Sequence, residues 1–251
     1  MRLGILETGK VNEALAVRHD QYPDMFARLF RKVDPTIEVQ SYAVVDGEFP
    51  ASVRECDAWL LTGSRHGVYD DLPWIEELKD FLRRARAAGV PIIGICFGHQ
   101  IMAEAFGGRA EKSSKGWGLG VQEYEVLPDA PEWMAGAPER IALRVVHQDQ
   151  VTAIPSDASC LATSPFCEYA MLAYGDREMP DAISIQAHPE FDASFVRDLI
   201  ERAKGVRFPE AEANAGLASL QQEAQGTEFA RWSLAWLKHA LAKQGEPEPI
   251  G

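Results

Sequence analysis

The chain is short of basic residues: 25 Lys and Arg stand against 38 Asp and Glu, a net charge of -13. A surface of that sign repels phosphate backbones, so direct nucleic-acid binding is not expected. Long apolar runs are also missing. No stretch approaches the ~20 apolar residues of a membrane-spanning helix, so no membrane partner is expected. The chain enters Leu3-Gly4-Ile5-Leu6 without the basic, apolar and small-residue series of an export signal. Cysteine is scarce: Cys56, Cys96, Cys160 and Cys167 form no Cys-x-x-Cys pair, which argues against a zinc site or redox pair. Few cysteines and no export pattern point to a reducing cytoplasm. There is no Gly-x-x-x-x-Gly-Lys-Ser/Thr phosphate loop, dinucleotide fingerprint or metal-ligand pattern, so neither cofactor nor metal is expected.

What is present fits a globular α/β chain of 251 residues, 46% hydrophobic and 25% charged. Residues 3–6, 37–42, 58–61 and 92–95 read as strands. Residues 23–33 read as a helix, with Pro23 in its first turn and Met25, Phe26, Leu29 and Phe30 on one face. Residues 74–88 read as a helix closed by Gly89, with Pro91 beyond. A helix is expected over 100–106, strands near 120–126, 141–146, 160–164, 170–174 and 182–186, and a helix over 193–203. Short apolar strands between helices predict a mostly parallel twisted sheet with helices on both faces. The strand-rich region 116–187 predicts an antiparallel extension. We expect one domain over 1–204 and a helical extension over 205–251 packed on it. Residues 210–223 read as a helix there. Phe229, Trp232, Trp236, Leu237, Ala240 and Leu241 form an apolar stripe at helical spacing, and the last residues, 245–251, are Pro-rich and expected to fray.

One run carries most of the chemistry: Pro91-Ile92-Ile93-Gly94-Ile95-Cys96-Phe97-Gly98-His99-Gln100. An apolar strand stops at a cysteine flanked by small residues, as when a strand delivers a nucleophile into a sharp turn before a helix. The first helical amides then lie beneath the sulfur and favour thiolate. A second apolar strand ends at His188, with Glu190 two residues later. Nucleophile, base and orienter are thus all available. The reference pKa of histidine, about 6.5, suits work as both base and acid. Pro189 fixes the chain between His188 and Glu190. Plainer readings exist: an inert buried cysteine, a histidine with a local hydrogen bond, a solvated acid before a helix. Gly63, Cys96 and His188 all fall at predicted strand ends, where α/β sheets build sites, and this favours the chemical reading. The other cysteines lack that setting and read as packing. His99 reads as structural, because its helix carries it away from the sulfur.

Gly94 to Gln100, together with His188-Pro189-Glu190, resembles the class I, triad-type glutamine amidotransferases over residues 1–203. Thr62-Gly63-Ser64, the segment from Tyr69 to Ile75, Gly116-Trp117 and His147-Gln148-Asp149-Gln150-Val151 resemble the stand-alone GMP-synthase-like proteins and plant γ-glutamyl peptidases. The resemblance implies a flavodoxin-like three-layer fold. It implies that Cys96 attacks the glutamine side-chain amide, releases ammonia and forms a γ-glutamyl thioester that water hydrolyses. It also implies oxyanion donors in the Gly63 and Phe97 amides, a glutamine contact at Gln100, and backbone around Gln148 and Asp149 holding the amino-acid end. Gly63 also reads as a plain turn, Gln100 as an exposed helical residue, and His147 and Asp149 as loop residues. Lys115-Gly116-Trp117 borders the pocket or packs, and Arg65-His66 could face an acidic substrate group. The Ser-Gly-Gly-x-Asp-Ser loop of GMP synthetase is absent and no room remains for an ATP-using domain. Ammonia would therefore pass to a separate synthetase, or the enzyme would cleave a γ-glutamyl conjugate by itself. The acidic surface and tryptophan stripe also fit a third reading, a non-enzymatic regulatory or scaffolding protein.

Overall fold

A computed structural model describes residues 1–244; the expected frayed end, 245–251, lies outside the described residues. In chain order the elements are β1 (Arg2–Leu6), α1 (Glu13–Ala16), α2 (Tyr22–Arg31), β2 (Glu38–Tyr42), β3 (Ala58–Leu61), α3 (Pro73–Ala87), β4 (Ile92–Ile95), α4 (Phe97–Ala105), β5 (Arg109–Lys112), β6 (Gly118–Val126), β7 (Arg140–His147), β8 (Asp149–Ala153), β9 (Ala158–Thr163), β10 (Met171–Tyr174), β11 (Ala182–Ile185), α5 (Ala193–Ala203), α6 (Glu210–Ser219) and α7 (Gly226–Gln244). One nine-stranded sheet has the order β2-β1-β3-β4-β11-β10-β9-β6-β7, and β5 pairs with β8 in a second. The strands from β2 to β11 are parallel; those from β10 to β7 are antiparallel. This is the mostly parallel sheet expected, with the antiparallel part inside the strand-rich region.

Strands β3, β4 and β11 are buried at every position, which is why β3 and β4 read as runs without a polar residue and β11 admits only Ser184. Helices cover both faces of the sheet. On one, Phe26, Leu29 and Phe30 of α2 pack with Phe229, Trp236 and Leu237 of α7. On the other, Ile75, Phe81 and Leu82 of α3 pack with Ile101 and Met102 of α4. Trp236 is fully buried and donates from Nε1 to the Pro180 carbonyl at 2.9 Å. The expected stripe of α7 is therefore spent against the sheet. Among the described residues no helix is long and apolar enough to cross a membrane.

Three details differ from the sequence pattern. Helix α4 starts at Phe97 rather than at Gln100, since the turn at Cys96 opens directly into it. Helix α6 ends at Ser219, before residue 223. Strands β5 and β8 pair only with each other, and Arg-Ala-Glu-Lys carries no apolar alternation to announce the first of them.

Register positions the site. Leu61 of β3 stands opposite Gly94 of β4, and Ile95 of β4 opposite Ile185 of β11. Three adjacent parallel strands therefore end together. They bring Gly63, Cys96 and the Gln186–His188 segment to one carboxyl edge, the location where α/β sheets place their sites.

Candidate active site

Cys96 has φ +52° and ψ -101°, and among the described residues no other non-glycine residue has positive φ. A side chain disfavours that conformation, so the surroundings must hold it. The Cys96 N–H donates to the Ile185 carbonyl at 2.9 Å, and the Cys96 carbonyl accepts from the Gln100 N–H at 3.0 Å, opening α4. A Cβ at Gly94 would lie 2.6 Å from the Gly98 carbonyl oxygen, so the turn closes only over glycine. The sulfur sits at the head of α4, where orphan amides favour negative charge.

His188 arrives from β11. Its N–H donates to the Arg144 carbonyl at 2.8 Å, and its ring stacks on Phe191, with centroids 3.9 Å apart and planes 6° from parallel. Its Nδ1 is 2.7 Å from Oε1 of Glu190, whose side chain is wholly buried. Burial alone would push the His188 pKa down. The adjacent Glu190 carboxylate, and after it Cys96, outweigh burial and lift it to about 10. Imidazolium is thus the favoured form beside the sulfur. The other thiols are different. Burial pushes Cys167 up to about 12 and also raises Cys56 and Cys160. All four cysteines are free.

Gly63 lies against His188: a Cβ there would fall 2.6 Å from the ring Cε1. Its carbonyl is tied back by Thr8 Oγ1, which lies 3.2 Å from it and 2.8 Å from the Thr62 carbonyl. The N–H groups of Gly63 and Phe97 donate to no protein acceptor among the described residues. Both backbone donors expected for an oxyanion are therefore uncommitted.

Gln100 is buried rather than exposed, and its Nε2 donates to the Asp149 carbonyl at 2.8 Å and to Gln186 Oε1 at 3.1 Å. Gln186 in turn donates from Nε2 to Cys96 Sγ at 3.5 Å. Sequence reasoning passed over Gln186 as a strand residue. Its signal was available: a polar residue closing an apolar strand two positions before His188, on the same face.

Cys96 and Gln100 open into a pocket of about 410 Å³ that also takes in Gln148 and Asp149. That size suits a small molecule. Tyr69 Oη donates to Asp149 Oδ2 at 2.8 Å. His147 Nδ1 lies 3.1 Å from the Asp149 carbonyl, and burial drives its pKa down to about 4, so it stays neutral. Trp117 both packs, edge-on to Phe208 at 4.7 Å, and lines the pocket. Arg65 and His66 line it too. His99 does not: its Nδ1 is 2.7 Å from Ser184 Oγ in the interior, and burial lowers its pKa to about 3. Arg207, on the loop after α5, reaches the pocket from far along the chain and carries no local sequence signal. A larger cavity of about 670 Å³ beside Trp133, Met179 and His239 shares no residue with this one and holds no cysteine. Among the described residues no group of His, Cys, Asp and Glu is placed to hold a metal.

A thiol at a helix head, an imidazolium braced by a buried carboxylate and two uncommitted amides can together perform nucleophilic acyl chemistry. Comparison with known proteins agrees in kind. A family model described as glutamine amidotransferase class-I matches residues 18–201. The chain is 33% identical over 168 residues to γ-glutamyl peptidase 4 of Arabidopsis thaliana, which is 64% of this chain and 65% of that protein. It is 31% identical over 176 residues to the glutamine-hydrolyzing GMP synthase of Lactococcus lactis subsp. cremoris, covering 68% of this chain and 31% of that protein. The fold is similar to that of a glutamine amidotransferase from Thermotoga maritima, with TM-score 0.69 and 20% identity over 97% of both chains.

Proposed function

This chain belongs to the class I glutamine amidotransferase family, and we propose that it hydrolyses the γ-amide bond of glutamine or of a γ-glutamyl compound through Cys96, His188 and Glu190. The observation that carries the reading is the 2.7 Å His188–Glu190 contact at the strand end beside Cys96. With Nδ1 bound to Glu190, the remaining ring nitrogen, Nε2, is left for the sulfur. The Cys96 thiolate attacks the γ-carbonyl carbon, and the carbonyl oxygen becomes an oxyanion received by the Gly63 and Phe97 amides. Losing one such donor typically costs about 10²–10³ in rate. His188 gives its Nε2 proton to the leaving nitrogen as the C–N bond breaks, and a γ-glutamyl thioester remains. Water then attacks the thioester and yields its proton to His188. The C–S bond breaks, glutamate leaves and Cys96 returns as thiolate. Gln100, Gln148 and Asp149 surround the amino-acid end. Residues 1–204 carry this chemistry, and 205–244 brace it and add Arg207 to the pocket lining. Four free thiols suit a reducing compartment such as the cytoplasm.

Two substrates follow from the same chemistry. With glutamine, ammonia is released and a separate synthetase would consume it. With a γ-glutamyl conjugate, the product is a free amine and no acceptor is needed. The pocket of about 410 Å³, lined by Trp117 and Arg207 as well as by Cys96, has room for a group beyond the amide nitrogen and so favours the second. The test is glutamate release from L-glutamine and from a γ-glutamyl dipeptide, with Cys96→Ala as control. Cys96-dependent turnover of either supports the chemistry, and its absence on both removes it.

A further inference from the structure

The charges around the pocket do not match glutamine. Its lining holds three permanent cations, Arg65, Lys112 and Arg207, against two carboxylates, Asp70 and Asp149. Both carboxylates already have partners. Asp70 accepts from the Gly67 N–H at 3.1 Å and meets His66, while Asp149 accepts from Tyr69. None of the three cations forms an ion pair among the described residues. Glutamine is a zwitterion with one carboxylate and one ammonium, so it leaves a cationic surplus unmatched. The contrast is sharper because the whole chain has a net charge of -13. A local field opposite to the global one is the signature of a site that gathers anions.

Among these cations Arg207 is the one held in place. Its guanidinium lies over the Trp117 ring, 4.8 Å from the centroid, and Trp117 is wedged edge-on against buried Phe208. Stacking fixes the guanidinium without consuming its five N–H donors. A fork oriented in this way, with no bound acceptor, matches a carboxylate in two-point geometry better than a lysine would. It also lies within electrostatic reach of Cys96, Asp149 and Arg65, so an anion here would sit in the same pocket as the reacting carbonyl.

We propose that Arg207, seated on Trp117 and seconded by Arg65 and Lys112, forms a subsite for a carboxylate on the leaving side of the scissile bond. The preferred substrate class is then a γ-glutamyl amino acid or peptide with a free carboxylate, which carries net charge -1. This rests on the γ-glutamyl reading of the Cys96 site. The released product is an amino acid or peptide with a free amino group.

The test separates the subsite from the chemistry by measuring binding to the inactive Cys96→Ala protein. The ligands are γ-glutamylglycine and γ-glutamylglycinamide, near-isosteric and different in that one charge. Cys96→Ala protein should bind the glycine compound roughly 10–100-fold more tightly, the range of a charged hydrogen bond of about 1.5–3 kcal/mol. Adding Arg207→Gln should erase that preference and leave glycinamide binding unchanged, and Arg207→Lys should restore part of it. Equal affinity for the two ligands overturns the subsite. So does an Arg207→Gln loss shared equally by both, which would put Arg207 on the glutamyl α-carboxylate that they have in common. In active protein, kcat/KM on the two compounds should show the same ratio, expressed in KM. Failure of turnover with the binding preference intact would remove the chemical reading and leave the subsite standing.

Discussion

Gln186 points its amide nitrogen at the Cys96 sulfur across 3.5 Å, and Gln100 decides that it does so. Gln100 donates to Gln186 Oε1, so the amide cannot flip without placing two donors or two acceptors face to face. The glutamine expected only to touch substrate therefore also sets the orientation of a donor beneath the nucleophile.

Replacing Gln186 by Leu removes a hydrogen bond to a charged sulfur, worth about 1.5–3 kcal/mol. We expect kcat/KM to fall roughly 10–100-fold. The rate of Cys96 alkylation by iodoacetamide at one fixed pH should also fall, since the sulfur loses the donor that holds it. An unchanged alkylation rate in the folded variant would assign Gln186 to the core.

Replacing Glu190 by Gln removes the largest influence that raises the His188 pKa. His188 has its folded pKa at about 10, above the unfolded value of about 6.5. Its contribution to stability is thus complete below about pH 6.5 and lost as pH rises through about 10. The variant should lose that contribution. The stability difference between wild type and Glu190→Gln should narrow from neutral pH toward pH 10 in thermal melts. The alkaline limb of kcat/KM should move to lower pH, with a loss of about 10²–10⁴ in kcat. Parallel pH profiles would contradict this account.

A methyl at residue 63 would strike the His188 ring, since its Cβ would lie 2.6 Å from Cε1. Gly63→Ala should therefore displace the imidazole, and a misplacement of that kind costs on the order of 10²-fold in kcat. The stability loss should be the ~1–3 kcal/mol of an overpacked site. Steady-state kinetics with a urea titration would separate the two. A normal kcat would show that the ring has room to retreat.

The parallel half of the sheet was legible because its central strands, such as Ile92–Ile95, are buried on both faces and so read as apolar runs bounded by Gly and Pro. The positions of Cys96, His188 and Glu190 were legible because each ends or follows such a strand. Tertiary placement hid the rest. Arg207 sits on a loop whose local pattern is featureless, and only the return of the chain over Trp117 brings it to the pocket. Strands β5 and β8 satisfy each other, and neither buries a continuous face that would write a period into the sequence.

Helix α7 supports the site at its first residue. A Cβ on Gly226 would fall 2.1 Å from the Pro189 carbonyl oxygen, and Pro189 joins His188 to Glu190. Gly226→Ala must therefore move either the helix or that joint. The rest of α7 is fixed by buried Phe229 and Trp236, so the joint is the part that yields. We expect kcat to fall while the protein stays folded. Trp236→Ala provides the contrast. It empties a fully buried site in the middle of the same helix, which should cost about 3–5 kcal/mol. Because it leaves Pro189 untouched, the kcat of the folded fraction should be preserved. Chemical denaturation gives the first quantity and active-site-normalised kinetics the second. If both variants lose stability and keep kcat, α7 covers the sheet and does nothing to hold His188 and Glu190 together.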